Sequence, residues 1–260
     1  MIEDRKEISK CRVVAASVMG TSHEKRSQPC QDAHKWKILP NGVLVAAVAD
    51  GAGSATLAEI GAEIAVTTAV KTIAKHRHRL IVSENDEDWH QLLTETLKIA
   101  REAVEKEAQV REVKPRDLAS TLILAIASSE LIAVAQIGDG AAVVGDGEGN
   151  AIAVTVPPCG EYINETIFLI SDNALETVQL RVWRGQVSHL AIFSDGLQML
   201  ALKMPEGVAH VPFFSPLFKF VGQVEDEVEA KKQLESFLRS PRVTERTDDD
   251  LTLLLASFLV

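Results

Sequence analysis

Three apolar, strand-like segments of this chain each end on an Asp-Gly pair. The pairs follow residues 43–48, 131–137 and 190–193, and they are Asp50-Gly51, Asp139-Gly140 and Asp195-Gly196. A carboxylate at a strand end is held rigidly, and the glycine after it lets another group approach the backbone closely. If the three strands are neighbours, the aspartates converge, and converging carboxylates repel one another unless a cation neutralises them.

A fourth acidic cluster, Asp248-Asp249-Asp250, comes immediately before the last apolar run, residues 251–260. It therefore also lies at the end of a predicted strand. Carboxylates are hard oxygen ligands that suit magnesium or manganese, ions that keep several waters and accept few carboxylates each. The four positions together predict a metal site.

Asp-Gly is also a common turn dipeptide, so each pair needs its own interpretation. Asp146-Gly147 lies between two alternating apolar runs and is predicted to be an ordinary hairpin turn. Asp139-Gly140 fits either interpretation. Asp50-Gly51 and Asp195-Gly196 continue into helix-like sequence, where no two-residue hairpin is needed, and we interpret both as functional.

Two other chemistries compete with a metal site. Residues 51–56 follow a strand and open a helix, as a dinucleotide fingerprint does, but Thr56 takes the place of the third glycine and Asp50 would repel a pyrophosphate. A nicotinamide-dependent oxidoreductase is the alternative that this segment leaves open. Nucleophilic catalysis lacks support, because Ser54 has no Gly-x-Ser-x-Gly frame and no cysteine precedes the arginine loop of a cysteine-dependent phosphatase.

Composition narrows the class of protein. The chain has 260 residues, 46% of them hydrophobic and 25% charged, which is typical of a globular protein. A net charge of -10 argues against nonspecific binding to nucleic acid. Residues 1–10 have no apolar signal region, and no apolar run reaches the roughly 18 residues of a spanning helix. We therefore expect a cytoplasmic protein without membrane contact, and its three cysteines predict neither a disulfide framework nor a zinc site.

The order of predicted elements indicates one α+β domain over residues 1–260, with sheets faced by helices. Helical spacing of apolar residues predicts helices at 54–75, at 87–109 with Asp86 or Asp88 as N-cap, and at about 225–238. Strands are predicted at 13–17, 36–39, 43–49, 190–193 and 251–260. Short runs between residues 122 and 156 suggest an antiparallel meander, and a Pro-broken region extends to residue 220.

The sequence resembles the type 2C, metal-dependent protein phosphatases. Six short motifs occur in that family's order and cover nearly the whole chain. They are Gln31-Asp32-Ala33, 49–53 with Gly61, 119–122, 137–140, 193–196 and 249–252. Residues 29–32 and 160–166 look most like a bacterial branch of the family. The resemblance implies two packed antiparallel β-sheets flanked by α-helices, with a two-metal site at one end of this α-β-β-α sandwich.

The resemblance also implies roles for individual residues. Asp50 would bridge two manganese or magnesium ions, joined by the carbonyl of Gly51, and Asp195 and Asp249 would complete the second ion. Asp32 and Gln31 would hold waters of the metal shell, and Asp139 with Asp195 would match the position of a third ion. The implied reaction is hydrolysis of phosphoserine or phosphothreonine in proteins by an activated water, without a protein nucleophile.

Three positions depart from the family pattern. Ser27 stands where many members place the arginine that binds substrate phosphate, and we expect Arg26 or His23 to replace it. Gly140 replaces a common serine, and Asp250 replaces a common asparagine. The implied partners are a phosphoprotein substrate and a cognate Ser/Thr kinase. The alternative is a catalytically weak pseudophosphatase or a phosphoprotein-binding regulatory module.

Overall fold

Two five-stranded antiparallel sheets form the centre of the protein. The structure is a computed structural model that describes residues 11–76, 83–158 and 166–258. The first sheet has the order β1-β12-β9-β6-β7, the second has the order β2-β3-β4-β5-β8, and β10 and β11 form a separate hairpin. The strands are β1 Cys11–Val18, β2 Ala33–Ile38, β3 Leu44–Ala49, β4 Leu122–Ala127, β5 Leu131–Ile137, β6 Ala141–Gly145, β7 Ala151–Thr155, β8 Gln179–Arg184, β9 His189–Phe193, β10 Leu202–Lys203, β11 Val208–Ala209 and β12 Leu251–Phe258.

Helices cover the outer face of each sheet. Side chains of α2 and α3 share a core with the outer face of the second sheet, and those of α5 and α6 share one with the outer face of the first sheet. The helices are α1 Thr21–Arg26, α2 Ala58–Lys75, α3 Asp86–Val110, α4 Gln198–Ala201, α5 Val211–Gly222, α6 Glu227–Leu238 and α7 Pro241–Thr244. The expected α-β-β-α sandwich is confirmed.

Strand β3 shows why the sequence gives a layered fold. Successive strand residues point to opposite faces of a sheet. Leu44, Ala46 and Val48 accordingly join the core between the sheets. The alternate residues, Val45, Ala47 and Ala49, join the core beneath the helices. A strand buried on both faces has a continuous apolar sequence. This apolar run ends at Ala49, which places Asp50 directly at the strand end.

The sequence misplaced several boundaries. Helix α2 begins at Ala58 rather than at residue 54. The N-cap of α3 is Asn85, whose side chain accepts the backbone N–H of Glu87, and not Asp86 or Asp88, which lie in the first turn. Residues 160–165 and most of the basic run at 75–79 lie outside the described residues.

Two larger features were also predicted wrongly. The runs between residues 122 and 156 are not one meander, because β4 and β5 belong to the second sheet and β6 and β7 to the first. Apolar alternation cannot report which sheet a doubly buried strand joins. The Pro-broken region contains α5, in which Pro212 occupies the first turn, where a missing N–H costs nothing.

Gly61 of α2 lies against the backbone of the 3-10 helix Pro115–Leu118. A Cβ atom at this position would stand 2.0 Å from the carbonyl oxygen of Leu118, whereas one at Gly53 would have no atom within 4 Å. We therefore expect Gly61→Ala to lower the free energy of unfolding by about 1–3 kcal/mol, the usual cost of overpacking. Urea denaturation checks this, with Gly53→Ala as the matched control. Equal stabilities of the two variants would contradict the close packing.

Candidate active site

Three aspartates meet at one end of the sandwich. Asp50 follows β3, Asp139 follows β5 and Asp195 follows β9, so the two sheets both contribute. Each of the three offers a carboxylate oxygen, and these oxygens all lie within 4.8 Å of one another. The convergence that the Asp-Gly pairs predicted is therefore present.

The backbone on both sides of Asp50 is fixed by the segment before β4. The Asp50 N–H donates to the Thr121 hydroxyl at 2.9 Å, and the Thr121 N–H donates to the Asp50 carbonyl at 2.7 Å. Gly51 forms a β-bridge with Ser120. A Cβ atom on Gly51 would stand 2.7 Å from the carbonyl oxygen of Gln31, so the glycine permits this close approach.

Asp32 belongs to a buried chain of hydrogen bonds. The Ser194 hydroxyl donates to Asp32 Oδ2 at 2.7 Å and accepts the Thr252 N–H at 3.0 Å. The Thr252 hydroxyl lies 2.6 Å from that of Ser17, which in turn lies 2.8 Å from Nδ1 of His34. This chain joins strands of both sheets and fixes the orientation of Asp32.

Asp139 lies in the connection between the two sheets. It links β5 of the second sheet to β6 of the first, so Asp139-Gly140 is not a hairpin turn. Its Oδ2 accepts the Thr166 hydroxyl at 2.7 Å, and Gly138 before it has φ +104°, a conformation that favours glycine. Asp146-Gly147, in contrast, is the predicted turn between β6 and β7, where Asp146 accepts two backbone N–H groups.

Asp250 fixes helix α1 and the loops on either side of it. Its buried carboxylate accepts the N–H of Gly20 at 2.7 Å, the N–H of Gln31 at 2.6 Å and a hydrogen bond from Nδ1 of His23 at 2.8 Å. The Asp250 N–H donates to Asp249 Oδ1 at 2.8 Å. The Asp250 side chain therefore holds the segment before Asp32 in position, and the Asp250 backbone N–H orients Asp249.

Asp249 stands beside the three converged carboxylates rather than within their 4.8 Å group. It is nevertheless close enough for its charge to raise the pKa values of Asp50 and Asp195. Burial raises its own pKa. The structure thus brings Asp50, Asp139 and Asp195 together and places Asp249 next to them.

The carboxyl groups of the site resist ionisation. Burial raises the pKa of Asp32 to about 7 and that of Asp195 to about 6, against an ordinary value of 3.8. Burial also raises the pKa of Asp50 well above its ordinary value, and the charges of Asp32 and Asp195 raise it further. Desolvation and like charge act together here, which is typical of carboxylates that lack their counterion.

The two candidates for phosphate binding differ in position. His23 is buried, and its Nδ1 is engaged by Asp250. Arg26 ends helix α1, is exposed, and has no hydrogen-bond or ion-pair partner among the described residues. The guanidinium of Arg26 is therefore available to a ligand, whereas the His23 ring already contributes to the packing of the loops.

The donor set fits divalent cations. Buried oxygens of Asp32, Asp139, Asp195 and Gln31 have no hydrogen-bond partner within the described chain. Unpaired buried acceptors of this kind are costly unless a cation or water satisfies them. Four such oxygens beside Asp50 make a site of oxygen ligands, which magnesium and manganese prefer.

Sequence reasoning missed the hydroxyl groups that orient the aspartates. Ser194, Thr252 and Thr166 bond to the acidic residues or to each other, and two of them stand inside motifs already quoted. A signal was available, because a serine or threonine adjoins or closely follows several of the aspartates. The oxidoreductase alternative fails, since among the described strands β3 pairs only with antiparallel neighbours and forms no parallel β-α-β unit around residues 51–56.

Comparison with known proteins identifies the family of this chain. Residues 19–239 match the family model described as Protein phosphatase 2C. The chain is 37% identical over 251 residues to the serine/threonine-protein phosphatase 3 of Escherichia coli (strain K12), covering 94% of this chain and 97% of that protein. The chain belongs to the protein phosphatase 2C family and is a metal-dependent protein phosphatase.

Solved structures support the fold. The serine/threonine phosphatase Stp1 from Staphylococcus aureus matches with a TM-score of 0.63 at 14% identity, covering 99% of each chain. The catalytic domain of the serine threonine protein phosphatase PstP, in complex with two manganese ions, matches with a TM-score of 0.62 at 13% identity, covering 96% of this chain and 99% of that one. At these identities the likeness shows a shared fold.

The raised pKa of Asp32 predicts how pH affects the protein without metal. The folded-state pKa of Asp32 is about 7, above the ordinary 3.8. Protonated Asp32 therefore stabilises the folded state fully below pH 3.8, and this stabilisation is lost as the pH rises through 7. Asp32→Asn should therefore match the wild type near pH 4 and be more stable near pH 8, at about 1.4 kcal/mol for each pKa unit removed.

Thermal melts in excess chelator across this pH range test the expectation. Asp146→Asn is the control, because hydrogen bonds from Asn150 and the backbone lower the pKa of Asp146 and its removal should give no gain at high pH. A pH-independent difference between Asp32→Asn and the wild type would contradict the assigned cause.

Proposed function

We propose that this protein hydrolyses phosphoserine and phosphothreonine in proteins, with Asp50, Asp195 and Asp249 holding two divalent cations. One observation carries the proposal: three carboxylates from two sheets meet within 4.8 Å, and among the described residues an oxygen of Asp139 and one of Asp195 have no hydrogen-bond partner. The serine/threonine phosphatase of Escherichia coli supports the substrate class, and the two manganese ions of PstP support manganese as cofactor, with magnesium as the alternative.

We assign each metal ligand from its position in the site. Asp50 is central, and the adjacent Gly51 carbonyl would contact one ion with it. Asp195 and Asp249 would hold the other ion, since both lie near Asp50 and their charges act on it. Asp139 lies within the same group of oxygens and would hold a third ion together with Asp195.

When bound, two divalent cations lower the pKa of a water and polarise phosphoryl oxygens, so no protein nucleophile is required. Asp32 has one oxygen fixed by Ser194 and one without a partner, which suits it to orient a water by accepting its proton in a hydrogen bond. The Ser194 hydroxyl is itself engaged on both sides and is unsuited to attack phosphorus.

Arg26 is the residue that we propose for binding the substrate phosphate. A guanidinium stays charged at any working pH and can donate two parallel hydrogen bonds to phosphate. His23 is the weaker candidate, because it is buried and its Nδ1 bonds to Asp250.

The remaining proposals concern the surroundings of the enzyme. We propose one phosphatase domain over residues 1–260, a cytoplasmic location, and a Ser/Thr kinase that phosphorylates the same substrate. None of the described helices combines the length and apolarity needed to cross a membrane. The net charge of -10 supports the absence of a nucleic-acid partner.

Removal of metal should abolish activity. The aspartates provide no nucleophile, so hydrolysis of a chromogenic phosphomonoester should stop in excess chelator and return with manganese or magnesium. Calcium should restore little activity, because its larger and less rigid coordination shell is poorly suited to activating a water. Asp50→Asn should lose manganese affinity and turnover and stay folded. Undiminished hydrolysis in chelator would contradict the mechanism, whereas metal and phosphoprotein binding without turnover would support the pseudophosphatase alternative.

Replacement of Arg26 should weaken substrate capture alone. Arg26→Ala should lower kcat/KM on a phosphothreonine peptide by roughly 10- to 150-fold, the equivalent of the about 1.5–3 kcal/mol of a charged hydrogen bond, with manganese affinity unchanged. Steady-state kinetics and manganese titration measure the two effects. Lys25→Ala, which removes the exposed neighbouring cation, should change neither. Unchanged kinetics in Arg26→Ala would remove Arg26 from the site.

A further inference from the structure

A groove with a concentration of positive charge runs between strand β2 and helix α2. Its volume is about 330 Å³, and its walls carry Lys35 and Lys37 from β2 and Lys71 and Lys75 from α2. All four lysines are exposed. Four cations around one groove are unusual in a chain with 37 acidic and 27 basic side chains.

The four lysines have no counterion within the described chain. None of them forms an ion pair or a side-chain hydrogen bond there, although several lysines and arginines elsewhere pair with carboxylates. On α2, the acidic side chain nearest to the groove is Glu63, whose carboxylate accepts a hydrogen bond from the Thr67 hydroxyl. Glu63 precedes Lys71 by eight residues, a rise of about 12 Å along the helix. The charge of the groove is therefore not neutralised from within.

The groove also has backbone hydrogen-bonding capacity. Strand β2 is the edge of the second sheet and pairs only with β3 among the described strands. An edge strand presents N–H and C=O groups that an added extended segment can use. Buried Val70 and half-buried Ala74 of α2 supply an apolar surface between the lysines. Charge, edge groups and apolar floor together suit an extended acidic peptide.

The position of β2 connects this groove to the metal site. Asp32 immediately precedes β2, so Lys35 and Lys37 stand three and five residues farther along the strand. At about 3.4 Å per residue, they lie roughly 10–17 Å from Asp32. A segment lying along β2 could thus reach the carboxylate cluster with its end.

We propose that the groove between β2 and α2 docks an acidic segment of phosphoprotein substrates, about three to five residues from the phosphorylated residue. This inference rests on the proposed phosphatase function. Docking raises the local concentration of substrate at the metal site, so it selects phosphoproteins by charge outside the phosphorylated position.

Matched phosphothreonine peptides test the proposal. One carries glutamates alternating with valines at this spacing, and the other carries glutamines in place of the glutamates. We expect the wild type to hydrolyse the acidic peptide with a several-fold higher kcat/KM at low salt, and we expect the preference to fall as salt screens the charges. In Lys37→Glu/Lys71→Glu the preference should disappear, while kcat/KM on the glutamine peptide stays unchanged.

The control variant is Lys98→Glu/Lys106→Glu, which makes the same change in charge on exposed positions of α3 and should keep the preference. The docking site would be overturned if the wild type had equal kcat/KM on the two peptides, or if the control variant lost the preference for the acidic peptide to the same extent. If no peptide is hydrolysed, the proposed function fails instead. Fluorescence anisotropy of a labelled, unphosphorylated acidic peptide then still tests whether the groove is a docking site. Binding that is weakened only in Lys37→Glu/Lys71→Glu would support the docking site. Equal binding to the wild type and both variants, or binding of a short RNA in place of the peptide, would refute it.

Discussion

Mutual repulsion among clustered carboxylates is what the two sheets and the loops around the site must overcome. Asp50, Asp139 and Asp195 lie within 4.8 Å of one another, and burial raises the pKa of Asp50 and of Asp195. Such a cluster opposes folding of the metal-free chain, so the surrounding structure must hold it together until a cation does. The two sheets, which bury strands on both faces, provide that rigidity.

Hydrogen bonds from several separate segments hold the acidic residues in position. Thr121 holds Asp50, Ser194 holds Asp32, and Asp250 joins the segments that begin at Gly20 and Gln31. Thr121 and Ser194 act through hydroxyl groups, whereas the Asp250 carboxylate is occupied by His23 and two backbone N–H groups. Oxygens of Asp32, Asp139 and Asp195 have no hydrogen-bond partner among the described residues. This division between bonded and unpartnered oxygens suits the cluster to bind a cation.

The sequence was informative where chemistry and local pattern coincide. Apolar runs ending on Asp-Gly located β3, β5 and β9 and the three converging aspartates, since a buried strand and a rigid carboxylate both leave a local signal. It was uninformative about which sheet each strand joins, so β4 to β7 were mistaken for one meander. Helix α5 was missed because Pro212 and Pro216 obscured its periodicity. Contacts such as Ser194 with Asp32 join residues 162 positions apart, and no local pattern encodes them.

Anomalous diffraction from crystals of this protein grown with manganese would locate the ions relative to the clustered carboxylates. We expect at least two manganese peaks among Asp50, Asp195 and Asp249, with Asp50 contacting both and Asp32 bound to neither. We also expect the ions to be absent from crystals of Asp50→Asn grown in the same way. Manganese bound elsewhere, with the carboxylates of Asp50 and Asp195 still facing each other without an ion, would show that these carboxylates are not the metal site.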